Sequence, residues 1–242
     1  MLTAYDYPTA AILDAAGIDI LLVGDSLAMV VQGHSTTLPV TLDQMIYHAE
    51  MVGRAAKRAM VVVDLPFPEG QLSIESSIAA AARVLKETRC PAVKLEGGRE
   101  QAERIAAMTK AGIPVMAHIG LRPQNVHVDG GYVVQRDEEA LLADAVAAER
   151  AGAFAVLIEC VPSPIAIKVT QAIGVPTIGI GAGPGTDGQV LVIQDLIGMT
   201  SGYVPRFVAK LADVEQAISG AAVGFRESVR DGSFPAPEHE FQ

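Results

Sequence analysis

The sequence predicts an α/β fold, a single (βα)8 barrel spanning residues 1–242. Three observations predict it. Short β-branched runs alternate with Ala-rich stretches of helical length; 242 residues with 50% hydrophobic content are enough for one barrel core; and successive apolar runs end in an ionisable residue. With 23 glycines, no Trp and 5% aromatics, the texture suits close packing of parallel strands against helices.

Residues 2–4 read as a truncated first strand with nothing before it to cap it, a start that suggests an N-terminal segment is missing. A helix is expected over 8–16, a strand over 19–23, a helix over 42–57 and a strand over 60–63. The alternation continues with a helix over 74–88, a strand over 92–95, a helix over 99–111 and a strand over 115–117. It goes on with a helix over 137–151, a strand over 155–158, a helix over 164–173 and a strand over 177–180. Gly17, Gly112 and Gly152 stand where C-terminal helix caps are wanted. The eighth strand is expected near residues 206–208, followed by a helix over 213–230 and an irregular tail over 233–242. A doubly wound open sheet would carry a glycine fingerprint after its first strand; Tyr5-Asp6-Tyr7-Pro8 is not one, so the closed barrel is preferred.

A net charge of −10 argues against broad nucleic-acid binding or adhesion to anionic membranes, which rely on basic patches. Cys90 and Cys160 form no metal-spaced or CxxC pattern, which fits a reducing compartment. No apolar run reaches the roughly 18 residues of a membrane span, and the start has no signal-like character. A cytoplasmic enzyme is expected.

Five consecutive strands end in ionisable residues: Asp25 with Ser26, Asp64, Lys94 with Glu96, His118, and Glu159. In a (βα)8 barrel these ends converge on one mouth. Taken singly, Asp25 or Asp64 reads equally as a turn former or helix cap. Lys94 and Glu96, two apart on a strand, face the same way and make either an ion pair or a shared pocket wall. Two aspartates and a glutamate form an oxygen-ligand set suited to a hard cation such as Mg2+, with open positions for a chelating 2-oxo acid. Ser26, Lys94 and His118 are then placed to hold the substrate's charge. Glu159 ends a strongly apolar run, so desolvation suits it to general-base duty, the alternative being a salt-bridged rim residue. The glycine-rich stretch 179–185 reads as a tight turn or a backbone phosphate cradle. His34, His48 and His127 have no ligand spacing and are left outside the site.

At these residues the chain resembles the 3-methyl-2-oxobutanoate hydroxymethyltransferase (ketopantoate hydroxymethyltransferase) family almost end to end. The likeness lies in Thr3-Ala4-Tyr5-Asp6-Tyr7, Leu22-Val23-Gly24-Asp25-Ser26, Gln32-Gly33-His34, Leu38-Pro39-Val40-Thr41 and Asp64-Leu65-Pro66-Phe67. It continues in Val93-Lys94-Leu95-Glu96-Gly97-Gly98, His118-Ile119-Gly120-Leu121, Ile158-Glu159-Cys160-Val161-Pro162 and the glycines running into Thr186-Asp187-Gly188-Gln189. The resemblance implies a barrel of the phosphoenolpyruvate/pyruvate-type superfamily that takes a hydroxymethyl group from 5,10-methylenetetrahydrofolate as cosubstrate to 3-methyl-2-oxobutanoate. It implies Mg2+ on Asp25, Asp64 and Glu96; substrate contacts from Asp25, Ser26, Asp64, Lys94 and His118; Glu159 as catalytic base; and a homodecamer. The chain departs from the family pattern at 68–70, at 130–137 and in its short start. Rival readings are another Mg2+-dependent 2-oxo-acid barrel of the phosphoenolpyruvate mutase and isocitrate lyase group, which lacks support because no Lys-Lys-Cys-Gly-His motif is present, and a degenerate non-catalytic barrel.

Overall fold

The computed structural model describes residues 1–200 and 202–241. The chain forms two compact units, Met1–Val192 and Ile193–Gln242.

The first unit holds eight parallel strands in sequential order, β1 (Leu2–Thr3), β2 (Ile20–Val23), β3 (Met60–Asp64), β4 (Ala92–Glu96), β5 (Val115–Gly120), β6 (Ala155–Glu159), β7 (Thr177–Ile180) and β8 (Gly188–Gln189). The ring closes because Leu2 bridges in parallel to Leu191, Thr3 N–H donates to Leu191 O at 3.1 Å, and the Met1 ammonium donates to Gln189 O at 3.0 Å. Between strands lie α1 (Tyr7–Ala15), α2 (Leu27–Val30), α3 (Leu42–Ala55), α4 (Ile74–Glu87), α5 (Ala102–Lys110), α6 (Glu138–Arg150) and α7 (Ser163–Ala172). Their starts follow from the sequence. Asp6, Ser73 and Asp137 accept from the backbone N–H three residues on, and Thr41 with Gln44 closes a reciprocal capping box.

The eighth strand is not where the sequence suggested. Residues 206–208 form a turn, with Val208 N–H donating to Pro205 O at 3.0 Å, and β8 comes earlier, directly after the glycine-rich stretch. Two ladder residues suffice to shut the ring, and a pair that short has no alternation to read. Most other boundaries fall within two residues of expectation. The helix expected over 99–111 instead opens as a 3-10 turn, Arg99–Gln101, before α5.

Because side chains alternate along a strand, Leu22, Val62, Ala92, Met116, Ala155, Leu157 and Ile178 face one another inside the ring and, with Val190, form its buried core. The same alternation decides where function sits. Asp64 lies two positions beyond Val62, Lys94 and Glu96 lie two and four beyond Ala92, His118 lies two beyond Met116, and Glu159 lies two beyond Leu157. Each therefore continues an inward-facing row one layer above the apolar plug, or two in the case of Glu96.

The second unit contains α8 (Ile193–Ile197), α9 (Val214–Asp231) and a 3-10 turn, Pro237–His239. The tail expected over 233–242 is irregular apart from that turn, and its last residue, Gln242, lies outside the described residues. Among the described residues no helix is long and apolar enough to cross a membrane.

Candidate active site

Asp25, Asp64, Lys94, Glu96 and His118 are all buried, each at most 5% exposed, and Glu159 beside them keeps a side chain 19% exposed. The six gather at one end of the barrel. Lys94 Nζ lies 2.9 Å from His118 Nδ1 and 3.2 Å from Asp64 Oδ1; the second is a charge contact without hydrogen-bond alignment. Asp25 N–H donates to Asp64 Oδ2 at 3.0 Å. His118 Nδ1 is 3.8 Å from Glu96 Oε1, and its Nε2 faces Glu159 Oε2 at 3.3 Å, close but not aligned as a hydrogen bond.

The backbone around β2 explains why a glycine precedes Asp25. A Cβ on Gly24 would come within 2.9 Å of Ser26 Oγ and 3.5 Å of Asp64 Oδ2, so a side chain there would crowd the two groups the turn brings together. Ser26 Oγ is 2.8 Å from Tyr5 Oη. Tyr5 is buried, and its carbonyl accepts from His48 Nδ1 at 2.6 Å. His48 thus braces the site from outside it.

The electrostatics follow from four carboxylates facing one ammonium in a place with little water. Burial, reinforced by Asp64, raises Asp25 to about 7, and burial raises Glu159 to about 7. Burial and the Asp25 charge hold Glu96 well above the usual carboxylate range. Burial opposes the Lys94 charge, but Asp64, Glu96, Asp25 and Glu159 outweigh it and hold its pKa above the ordinary lysine value. Burial, helped by Lys94, keeps His118 well below its usual value, so the imidazole is neutral. A protonated Lys94 has only donors; His118 Nδ1 therefore accepts, and the imidazole proton sits on Nε2, facing Glu159.

Asp64 Oδ1 and Glu96 Oε1 are buried without a hydrogen-bond partner. Oxygens of that kind suit a hard cation or its waters. No group of three or more His, Cys, Asp and Glu residues among the described residues forms a ready-made metal cage, so Asp25, Asp64 and Glu96 are not a closed three-carboxylate set. The donors fit an ion that takes one or two carboxylates directly and keeps water on its remaining positions.

Several site residues escaped the sequence reading. Gln124, on the 3-10 turn Pro123–Asn125, bonds to both Asp25 and Glu96. An uncharged amide in a proline-led turn carries no chemical signal. Tyr132, in the loop flagged as atypical, has its pKa raised by burial and then by the charges of Asp25, Glu159 and Glu96. Cys160 holds φ +49°, a conformation costly for a non-glycine residue, pinned by Cys160 N–H donating to Ile180 O at 2.9 Å and Gln135 N–H donating to Cys160 O at 3.1 Å. The glycine-rich stretch shows tight packing: a Cβ at Gly183 would lie 2.4 Å from Ser163, and one at Gly185 would lie 2.2 Å from Ile167. A separate cavity of about 230 Å³, lined by Gly98, Gly120, Arg122, Gln135, Asp137 and Asp144 among others, contains none of the six side chains.

A family model described as ketopantoate hydroxymethyltransferase matches residues 1–237. The chain belongs to that family. Similar curated proteins named 3-methyl-2-oxobutanoate hydroxymethyltransferase include one from Rhodopirellula baltica, 67% identical over 100% of this chain and 90% of the relative. Another, from Desulforapulum autotrophicum, is 55% identical over 100% of this chain and 92% of the relative. Membership makes the chain an enzyme of the one-carbon transferase class. Solved structures of similar fold include phosphoenolpyruvate phosphomutase from Streptomyces platensis subsp. rosaceus, with TM-score 0.63 and 17% identity over 100% of this chain and 86% of that one. A 2,3-dimethylmalate lyase of the phosphoenolpyruvate mutase/isocitrate lyase superfamily has TM-score 0.62 and 19% identity over 100% of this chain and 85% of that one. These last two share the barrel; the family lies with the hydroxymethyltransferases.

Proposed function

We propose that the chain transfers a hydroxymethyl group to 3-methyl-2-oxobutanoate, giving 2-dehydropantoate in pantothenate biosynthesis in the cytoplasm, with 5,10-methylenetetrahydrofolate and water as the other reactants and tetrahydrofolate as the other product. Family membership carries the reaction class. The observation that carries the chemistry is that Lys94, Glu96, His118 and Glu159 meet on the inward rows of β4, β5 and β6, beside Asp25 and Asp64.

Asp25 and Asp64 are the residues that would hold Mg2+, with the free oxygen of Glu96 reached directly or through water. When bound, Mg2+ supplies positive charge that polarises the keto group and offsets the surplus of carboxylates. Lys94 and Ser26 bind the substrate's carboxylate end. Glu159 Oε2 takes the C3 proton, and the electron pair left at C3 forms the new carbon–carbon bond to the one-carbon unit, whose bonds to the folate nitrogens break to release tetrahydrofolate while water supplies the hydroxyl oxygen. The neutral His118, with Nε2 facing Glu159 at 3.3 Å, lies beside that carboxylate without setting a positive charge against it.

The test is deuterium exchange at C3 of 3-methyl-2-oxobutanoate, followed by proton NMR with Mg2+ and no folate. The native chain is expected to exchange, and Glu159→Gln to lose at least about 100-fold in rate, the usual range for a proton-transfer group. Equal exchange in both proteins would remove Glu159 from its role, and substrate binding without exchange in the native chain would favour a degenerate barrel.

A further inference from the structure

Gln124 is 6% exposed, and both donors and the oxygen of its amide are engaged. Nε2 donates to Asp25 Oδ2 at 2.8 Å and to Leu65 O at 3.0 Å, while Oε1 accepts from Gln71 Nε2 at 2.8 Å. Its backbone N–H donates to Glu96 Oε2 at 3.1 Å. The amide can point only one way: turned over, Oε1 would face the Asp25 carboxylate and the Leu65 carbonyl, acceptor against acceptor. Gln71, in the loop after β3, enforces that orientation from behind. One residue on the turn after β5 therefore ties together groups from the ends of β2, β3 and β4.

The way it ties them matters for chemistry. Gln124 engages Oδ2 of Asp25 and Oε2 of Glu96; the other Glu96 oxygen, Oε1, stays buried with no hydrogen-bond partner. A carboxylate anchored through one oxygen is restrained about its terminal torsion, so its second oxygen is held toward one direction. An amide does this without adding a positive charge, which a Lys or Arg in the same place would set against any cation. We propose that Gln124 is a positioning residue whose side-chain amide, oriented by Gln71, presents one oxygen of Asp25 to a divalent cation, while its backbone N–H fixes one oxygen of Glu96 beside it. This rests on the cation-holding role given to Asp25 above.

The experiment is calorimetric titration of Mg2+ into the full-length native protein, Gln124→Met and Gln71→Leu, with a urea unfolding curve for each metal-free protein. Methionine keeps the length and loses the donors. Gln124→Met is expected to weaken Mg2+ binding by about 10- to 100-fold, as loss of an outer-shell partner does. Gln71→Leu, which removes the donor that holds Gln124 Oε1 from behind and so loosens the amide, is expected to weaken it in the same direction by a smaller factor. A purely structural role would lower the urea midpoint and leave the affinity of the folded protein within twofold of native, and that result overturns the proposal. If Gln124→Met shows no cooperative unfolding, Gln71→Leu decides: weaker Mg2+ binding supports the proposal and unchanged binding overturns it. A native protein that takes up no Mg2+ would sink the cation reading itself, whereas native uptake with unaltered variants would sink the positioning role alone.

Discussion

Glu159 shows how much one residue's surroundings decide. An ordinary glutamate is fully ionised at neutral pH and a poor base; with burial raising Glu159 to about 7, it is half protonated there and a correspondingly better proton acceptor. Only the ionised form accepts a proton, so activity rises as pH increases through that value and falls about tenfold per unit below it. The C3 exchange rate of the native chain, measured from pH 5.5 to 8.5, should show this acid limb centred near 7, and the residual rate of Glu159→Gln should not. A limb at the ordinary glutamate value would mean that the buried carboxyl is not the base. The strained Cys160 that follows fixes where the Glu159 backbone ends. Glu159 was legible in the sequence as the polar end of an apolar run. Gln124 was not, because hydrogen bonding to two carboxylates from different strands leaves no mark along the chain.

At the scale of elements, the parallel strands had to come close at their ends to bring the charges together, and Gly120 at the end of β5 makes this possible for β5 and β6. It holds φ +91°, and a Cβ there would lie 2.3 Å from Glu159 O. Gly112 holds a similar φ of +85° with nothing within 4 Å of an added Cβ. Comparing the two separates backbone strain from crowding. Gly112→Ala is expected to cost about 1 kcal/mol from the backbone conformation alone. Gly120→Ala is expected to cost more than about 2 kcal/mol, because either the backbone or β6 must shift. Urea midpoints at constant slope measure both, and equal costs would show that β6 yields without resistance. Strands β2 to β7 were legible because each is a short apolar run separated from the next by a stretch of helical length. The one-turn helix α2 and the two-residue β8 were not, since neither is long enough to show a period, and β8 exists only because the ring needs a last partner.

For the whole molecule, α9 carries an apolar stripe: Ile218, Phe225 and Val229 are spaced so that they share one helix face. A stripe of this kind is stabilised by burial against another apolar surface. We propose that the protein is a homo-oligomer, a decamer on the family resemblance, and that this stripe takes part in its assembly. Light scattering at micromolar concentration should give several times the mass of one chain, and Phe225→Glu should shift the population toward smaller species. A native monomer would end this reading. The sequence foretold a closed barrel from the strand count, the ionisable strand ends and the lack of a glycine fingerprint after the first strand, but it could not show which segment closes it, because closure is a property of the ring and not of any one stretch.

The seam where the ring is fastened has a consequence of its own. β1 and β8 are two residues each, joined by a handful of backbone bonds, while β4, β5 and β6 run five or six residues in long continuous ladders. In an eight-membered ring the joint between the last stave and the first lies diametrically across from the middle staves. When the cylinder breathes, the short joint is the place for it to part while Lys94, Glu96, His118 and Glu159 keep their mutual spacing, so the groups proposed for the chemistry stand on the wall least disturbed by the molecule's own loosening.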